Sequence, residues 1–199
     1  MRSHFQTATA ELDIARLKRG EAAMQAVMFR QFEKAVYTLC LRMLGNATGA
    51  LDAMQDSFIQ AFSNIETFRG SAPFGMWLRA IVVHRCLREL RDARQKQTVH
   101  LDEGSRIEPT ETDQSWVAAS GASHMEQLGD AIDLEWALAQ LNNRTRAVLW
   151  LHHVEGYQHS EIAELFGQSV SFSKSQLARG LSQMRGLLTQ PETHLSKAS

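Results

Sequence analysis

The fold of the carboxyl-terminal part is decided by residues 156–177, which read GYQHSEIAELFGQSVSFSKSQL. A helix-turn-helix needs a small residue where its helices cross and a glycine in its turn, and Ala163 and Gly167 meet these needs. It also needs a shared apolar core and exposed polar or basic residues on its second helix. The core set is Ile162, Phe166, Val170 and Leu177, and the exposed set is Lys174, Ser175, Gln176 and Arg179. A plain pair of antiparallel helices would produce the same pattern.

Helical periodicity also dominates the rest of the chain. Apolar spacing predicts a helical block over 12–44 that stops at Gly45, a second helix over 50–64 and a third over about 74–95. Helices resume near 128, and the last one begins near Ser171. Its predicted buried stripe is Leu177, Leu181, Met184 and Leu188. No segment alternates as a strand does, so the predicted fold is all-α.

Residues 97–127 have a different composition from both helical parts. They are acidic, rich in Ser, Thr and Gly, and contain Pro109. A segment of this kind buries too little apolar surface to offset the entropy of ordering, so we predict a flexible linker. The predicted organisation is therefore two small helical domains, 1–96 and 128–199, joined by an acidic linker over 97–127.

Charge is unevenly distributed along the chain, although the formal net charge is only -1. Residues 69–96 carry seven basic side chains against two acidic ones, whereas 97–135 carry nine acidic side chains against one basic. The tail from Lys174 is again basic. Two basic segments separated by an acidic one indicate two contacts with an anionic partner, the alternative being solvated helix faces.

Several classes of protein and site are disfavoured by the sequence. No apolar run approaches the roughly 20 residues of a membrane span, and the first residues lack the apolar core of a secretory signal. Two cysteines, Cys40 and Cys86, are too few for a disulfide scaffold and lack metal-site spacing. His152, His153 and His159 have no acid or cysteine to complete a tetrahedral metal site. We therefore expect a cytoplasmic protein without membrane insertion, metal or other cofactor.

An acidic face is predicted on the second helix. Asp52, Gln55 and Asp56 follow the spacing i, i+3, i+4 and so share one side of a helix. Paired carboxylates can act as an acid/base couple, as metal ligands or as a docking face for a basic partner. An exposed helix face rarely shifts a pKa enough for catalysis, so docking or mere solvation is favoured.

Together, the two helical parts resemble the sigma factors of bacterial RNA polymerase, in the compact extracytoplasmic-function group that keeps only regions 2 and 4. The resemblance covers roughly 20–96 and 128–188, in the order and spacing of that group. The region 2 pattern is matched by Ala50, Asp52, Gln55, Asp56, Phe58, Phe68, Arg69, Gly70, Phe74, Trp77 and Leu78. The region 4 pattern is matched by Leu138, Leu141, Arg146, Val148, Leu149, Glu155, Gly156, Glu161, Ile162, Ala163, Gly167, Ser169, Lys174, Ser175 and Leu177.

The resemblance implies partners and roles for the candidate residues. Asp52, Gln55 and Asp56 would dock on the clamp helices of the polymerase β′ subunit, and region 4 on the β flap. The −10 promoter element would be bound by Phe68, Arg69, Trp77, Arg79, His84, Arg85 and Arg88, with Trp77 equally compatible with a place in the core. The −35 element would be read by Ser171, Lys174, Ser175, Gln176 and Arg179.

The function that the resemblance implies is promoter recognition and strand opening for core RNA polymerase. The protein would not be an enzyme and would have no catalytic residue, and an anti-sigma factor is a further possible partner. The alternative is a free-standing helix-turn-helix repressor or activator, which would not bind core polymerase. Leu51 differs from the group, which usually has an acid there, and Gln176 stands in place of an arginine.

Overall fold

The computed structural model of the chain describes Phe5, 12–102 and 134–189, with the side chains of Arg94 and 96–102 left aside. All regular elements in these ranges are helices, which confirms the predicted all-α fold. The chain divides into two compact units, Met1–Pro109 and Thr110–Ser199. Most of the predicted linker lies outside the described residues. The domain boundaries at 96 and 128 therefore stay predictions.

The described residues of the first unit, Phe5 and 12–102, include four α-helices and a short 3-10 helix. Its helices are α1 (Ile14–Lys18), α2 (Ala22–Leu44), α3 (Ala47–Ser63) and α4 (Phe74–Asp102), and the 3-10 turn is Ile65–Thr67. The block predicted over 12–44 is broken at Gly20, whose φ of 73° is a conformation that only glycine adopts readily. α4 continues seven residues past the predicted end at Gln95, because no glycine or proline interrupts the sequence before Gly104.

Small side chains let α3 pack closely in the first unit. Ala50, Ala53, Ser57 and Ala61 are completely buried and recur along one side of the helix. α3 packs on both α2 and α4, whose buried side chains include Phe32, Val36, Leu78 and Val82. The hydroxyl of Ser57 donates a hydrogen bond of 2.6 Å to the carbonyl of Ala53, so its burial leaves no polar group unsatisfied. The opposite side of α3 is left exposed.

Both cysteines lie in the core of the first unit. Cys40 on α2 and Cys86 on α4 are completely buried. The pKa of the Cys40 thiol is raised, mainly by its hydrogen bond with Cys86 and to a lesser extent by burial. An inaccessible thiol that stays protonated is unreactive, so both residues are small apolar side chains of the core.

The second unit contains the predicted helix-turn-helix. Residues 134–139 form α5, followed by α6 (Asn143–His153), α7 (His159–Phe166) and α8 (Val170–Leu188). α7 ends at Gly167 with φ 60°, and Ser169 caps α8 by accepting a hydrogen bond of 3.2 Å from the N–H of Phe172. Ile162 and Ala163 are buried where α7 meets its neighbours. The turn and the crossing residue are therefore as predicted.

The buried side of α8 differs from the predicted stripe. Leu181 and Leu188 are 39% and 43% exposed, and Val170, expected in the shared core, is 42% exposed. Met184 is buried as predicted, and Ser173 and Gly180, which were not part of the predicted stripe, are buried as well. A β-carbon built on Gly180 would lie 2.9 Å from Thr145 Cγ2 and 3.2 Å from Leu149 Cδ1, both on α6. The missing side chain at this position lets α8 approach α6, and Leu181 and Leu188, at the edge of this contact, are left partly exposed.

Histidine side chains connect α6, α7 and α8 of the second unit. The ring of His152 on α6 stacks on that of His159 on α7, with centroids 4.4 Å apart. His159 Nδ1 lies 2.9 Å from the hydroxyl of the buried Ser173 on α8. Partial burial, together with the nearby charges of His152, Lys174 and His153, lowers the pKa of His159. The stack therefore favours a neutral imidazole.

We predict that replacing Gly180 by alanine destabilises the second unit. The new methyl group would press on Thr145 and Leu149, and overpacking of this kind costs about 1–3 kcal/mol of unfolding free energy. A β-carbon added at Gly186, on the same helix, would meet nothing within 4 Å, so Gly186→Ala should instead stabilise by about 0.5–1 kcal/mol. Urea unfolding of both variants measures the difference. Equal effects would contradict the close α6–α8 contact.

We also predict that acidification weakens the second unit through His159. The folded pKa lies below the ordinary value of 6.5, so the unfolded chain binds more protons as the pH falls through about 6.5. Stability should be constant at higher pH and decrease from there down to the folded pKa. His159→Gln should remove part of this loss, with the exposed His84→Gln as control. Thermal unfolding from pH 8 to pH 5 tests this, and identical pH profiles for the wild type and His159→Gln would contradict it.

Candidate functional site

The exposed side of α3 carries the three predicted polymerase-binding residues. Asp52, Gln55 and Asp56 are all exposed and lie on one face, as their spacing predicts. Two apolar side chains lie on the same side of the helix, Leu51 and Ile59, which are 51% and 55% exposed. The sequence analysis did not include Leu51 and Ile59 in this face, although their spacing of eight residues places them on the same side of the helix as Asp52, Gln55 and Asp56. The face is therefore mixed, with carboxylates beside aliphatic surface, as at interfaces between proteins.

Asp56 also contacts α4, where it meets a residue predicted to bind DNA. Arg85 donates from Nε and Nη2 to Asp56 Oδ2, at 2.9 Å each, and from Nη1 to Glu89 Oε2 at 2.9 Å. Burial lowers the pKa of Arg85, but the hydrogen bonds and charges of Asp56 and Glu89 outweigh it and raise the pKa overall. The two predicted sites are thus joined by one ion cluster.

The loop that follows the 3-10 turn begins in an aromatic cluster. The ring of Phe68 lies 5.2 Å from that of Phe74 and 5.6 Å from that of Trp77, between centroids, and Phe68 is only 8% exposed. Phe68 was expected to bind the −10 element, but its ring is mostly covered by this cluster in the structure. Trp77 is partly buried in the same cluster, which favours its place in the core. Residues 69–73, which include Arg69 and Gly70, are the exposed part of the loop.

The basic residues predicted to bind the −10 element on α4 occupy different environments. His84 and Arg88 are exposed and lie one helical turn apart. Arg85 is engaged by the two carboxylates described above. Arg79 is 9% exposed and lies inside the unit, so the expectation that it presents its charge to DNA is not met. The presence of a basic residue in the sequence did not predict its exposure to DNA, because charge alone does not tell which helix face a residue occupies.

On α8, four of the five residues predicted to bind the −35 element are exposed. These are Ser171, Lys174, Ser175 and Arg179. The fifth, Gln176, is partly buried, and its Oε1 accepts a hydrogen bond of 2.6 Å from the hydroxyl of Thr145 on α6. Gln176 thus fixes α8 to α6, which an exposed, DNA-reading glutamine would not do. The amino-terminal half of α8 remains a continuous polar and basic face.

One cation beside this face was missed by the sequence analysis. Arg144, near the start of α6, places its guanidinium carbon 4.9 Å from the ring centroid of Phe172 and 5.8 Å from that of Phe166. The two rings belong to α8 and α7 and lie 5.7 Å apart. A guanidinium over two aromatic rings is a favourable cation–π arrangement. It ties α6 to both helices of the helix-turn-helix at the turn.

Two further features of the described residues bear on the class of site. Over Phe5, 12–102 and 134–189, no group of three or more His, Cys, Asp or Glu side chains is placed to hold a metal ion. No helix in those ranges is long and apolar enough to cross a membrane.

Comparison with known protein families assigns both units. The family model for sigma-70 region 2 matches residues 28–96, and the model for sigma-70 region 4 matches residues 132–184. The two matches together span more than half of the 199 residues. Region 2 thus contains α3, the loop that follows it and most of α4, and region 4 contains α6, α7 and most of α8.

Individual relatives agree with the family models. The chain is 27% identical over 177 residues to the ECF RNA polymerase sigma factor SigW of Bacillus subtilis, a match that covers 86% of this chain and 92% of the relative. It is 27% identical over 161 residues to SigM of Mycobacterium tuberculosis, covering 81% and 75%. A solved sigma factor RpoE from Bartonella quintana, in complex with the anti-sigma factor NepR, shares the fold with a TM-score of 0.54 at 21% identity, over 83% of this chain and 97% of that one. With both regions present in the expected order, the chain belongs to the sigma-70 family of RNA polymerase sigma factors, within the extracytoplasmic-function group.

Proposed function

We propose that this chain is a transcription initiation factor that docks on core RNA polymerase, reads the −10 and −35 promoter elements and helps to open the DNA. The observation that carries the proposal is that region 2 and region 4 each expose a basic helix face, while α3 exposes a separate acidic and apolar one. A free-standing helix-turn-helix regulator would have no use for the α3 face. The factor has no chemistry of its own and works in the cytoplasm, where core polymerase acts.

The α3 face is the proposed docking surface for the β′ clamp helices. Asp52 and Asp56 offer charge to a basic partner, and Leu51 and Ile59 offer apolar area. Gln55 lies between them as a hydrogen-bonding group. Complementary charge speeds association and selects the partner, whereas the buried apolar contacts supply much of the affinity. Leu51, in place of the usual acid, therefore replaces charge by apolar contact within the same interface.

The −10 strand is proposed to lie across the loop after Phe68 and the exposed part of α4. Arg69, His84 and Arg88 are the exposed residues of the predicted set and would contact phosphates and base edges. Extruding a base from the stack costs a few kcal/mol, which these contacts help to offset. Phe68 and Trp77 support this surface from below, because their rings pack on Phe74 and hold the loop in place.

The amino-terminal half of α8 is proposed to enter the major groove at the −35 element. Ser171, Lys174, Ser175 and Arg179 would make the contacts, and Gln176 would position the helix through Thr145. The β flap is the proposed polymerase partner of this region. A solved relative is bound to an anti-sigma factor, and we include a protein of this class among the proposed partners.

The docking proposal predicts that Asp52→Arg weakens binding to core polymerase by about tenfold or more, which corresponds to about 1.4 kcal/mol. Asp52 is chosen over Asp56 because Asp56 also holds Arg85. Glu66→Arg, at an exposed acid of the same unit outside α3, is the matched control and should bind normally. Fluorescence titration of labelled chain with core polymerase, followed by transcription in vitro, tests this. Unchanged core affinity for Asp52→Arg would refute the proposed docking face.

The strand-opening proposal predicts different failures for two adjacent residues. Arg69→Ala should leave folding and core binding intact but lower open-complex yield, and a template with a pre-melted −10 region should restore it. Phe68→Ala should instead lower the free energy of unfolding of the first unit by about 3–5 kcal/mol, because it leaves a cavity in the aromatic cluster. Permanganate reactivity of −10 thymines and thermal unfolding separate the two effects. A stable Phe68→Ala with reduced opening would mean that this ring contacts DNA.

A further inference from the structure

The ion cluster of Asp56, Arg85 and Glu89 connects two surfaces that have different proposed partners. Asp56 belongs to the α3 face, and its side chain is 51% exposed. Arg85 belongs to α4, on which His84 and Arg88 are the exposed neighbours, and its side chain is only 19% exposed. Glu89 follows Arg85 by one helical turn and is 41% exposed. The cluster therefore lies where the proposed polymerase and DNA surfaces meet.

The geometry of the cluster neutralises Arg85. All three nitrogen atoms of the guanidinium donate to carboxylate oxygens at 2.9 Å, two of them to the same oxygen of Asp56. Two carboxylates around one guanidinium leave the cluster with a net charge of −1. A DNA phosphate that approaches Arg85 in this state meets two acidic groups first, and like charges repel. In the free chain Arg85 is thus a poor phosphate ligand, whereas Arg88, three residues further along α4, is exposed.

Resting on the proposed function, we propose that Asp56 couples polymerase docking to binding of the −10 strand. A basic group of the polymerase that pairs with Asp56 competes with Arg85 for the negative charge of the same carboxylate. Arg85 then keeps only Glu89, the net charge around it rises from −1 to zero, and its guanidinium becomes available to a phosphate. The free chain consequently binds single-stranded DNA more weakly than its basic residues suggest, and docking restores one contact.

The strength of the contact suits such an exchange. Partly exposed ion pairs are weak enough for a competing cation to displace them. Their loss or gain changes a binding affinity, here that for single-stranded DNA, by at most about fivefold. A deeply buried pair would resist displacement, and a fully solvated one would not shield Arg85. The alternative role is a plain brace between α3 and α4, which would alter the stability of the first unit without altering DNA binding.

The test uses the full chain without polymerase, so that docking itself plays no part. The probe is a fluorescein-labelled single strand of mixed sequence, long enough to cover the −10 surface, titrated at a series of NaCl concentrations. Asp56→Asn imitates the docked state by removing the charge that holds Arg85. Asp52→Asn is the matched control, since it removes the same charge from an exposed position on the same helix, one turn away.

We expect Asp56→Asn to bind the probe about two- to fivefold more tightly than Asp52→Asn. The slope of the logarithm of the probe-binding constant against the logarithm of the salt concentration should be steeper for Asp56→Asn by about 0.7. That is the increment for one added phosphate contact on a single strand. In an Arg85→Gln background the two asparagine variants should become indistinguishable. A plain brace moves none of these three quantities and changes only the melting temperature.

Equal probe binding by Asp56→Asn and Asp52→Asn would overturn the coupling, and so would a difference that survives in Arg85→Gln. Absence of probe binding by every variant would overturn it too, because a released Arg85 would then add nothing. The docking proposal is judged separately by the affinity of Asp52→Arg for core polymerase. Either proposal can therefore fail while the other holds.

Discussion

Close approach of helices at small side chains is the constraint on which both units depend. In the first unit the line from Ala50 to Ala61 brings α3 against α2 and α4. In the second, Gly180 brings α8 against α6. Helices that approach closely bury backbone and neighbouring side chains together, so a narrow stripe is enough to hold each of them. The remaining circumference of α3 and α8 is then left for partners.

The parts of the fold that local chemistry determines could be predicted from the sequence. Gly45, Gly156 and Gly167 end or separate helices with positive φ, and the turn of the helix-turn-helix follows from Gly167 and Ala163. Gly20 has the same conformation but was overlooked, because apolar spacing continued across it. Leu181 and Leu188 were wrongly placed in the buried stripe of α8, because leucines were expected inside. The side of α8 that is buried is the side on which Gly180, having no side chain, lets α6 come close. That contact depends on the tertiary packing and cannot be read from the spacing of apolar residues.

The candidate site was predictable to the extent that one helix determined it. The shared face of Asp52, Gln55 and Asp56 follows from helical spacing alone. The contact between Asp56 and Arg85 joins residues 29 positions apart and required the packing of α3 on α4. Phe68 and Arg79 were assigned to DNA through the family resemblance, and both lie inside the unit. Residue type indicates what a side chain is able to bind, whereas burial decides whether it is presented.

The placement of the two thiols has a practical consequence for labelling. Cys40 and Cys86 are the only cysteines of the chain, both are inaccessible, and the raised pKa of Cys40 keeps it in the unreactive protonated form. A maleimide dye added to the folded chain would therefore react first with a cysteine introduced at an exposed position, such as Ser175→Cys. Fluorophores can be attached one at a time without rebuilding the core around α2 and α4. Distances between region 2 and region 4 thereby become measurable in solution by energy transfer.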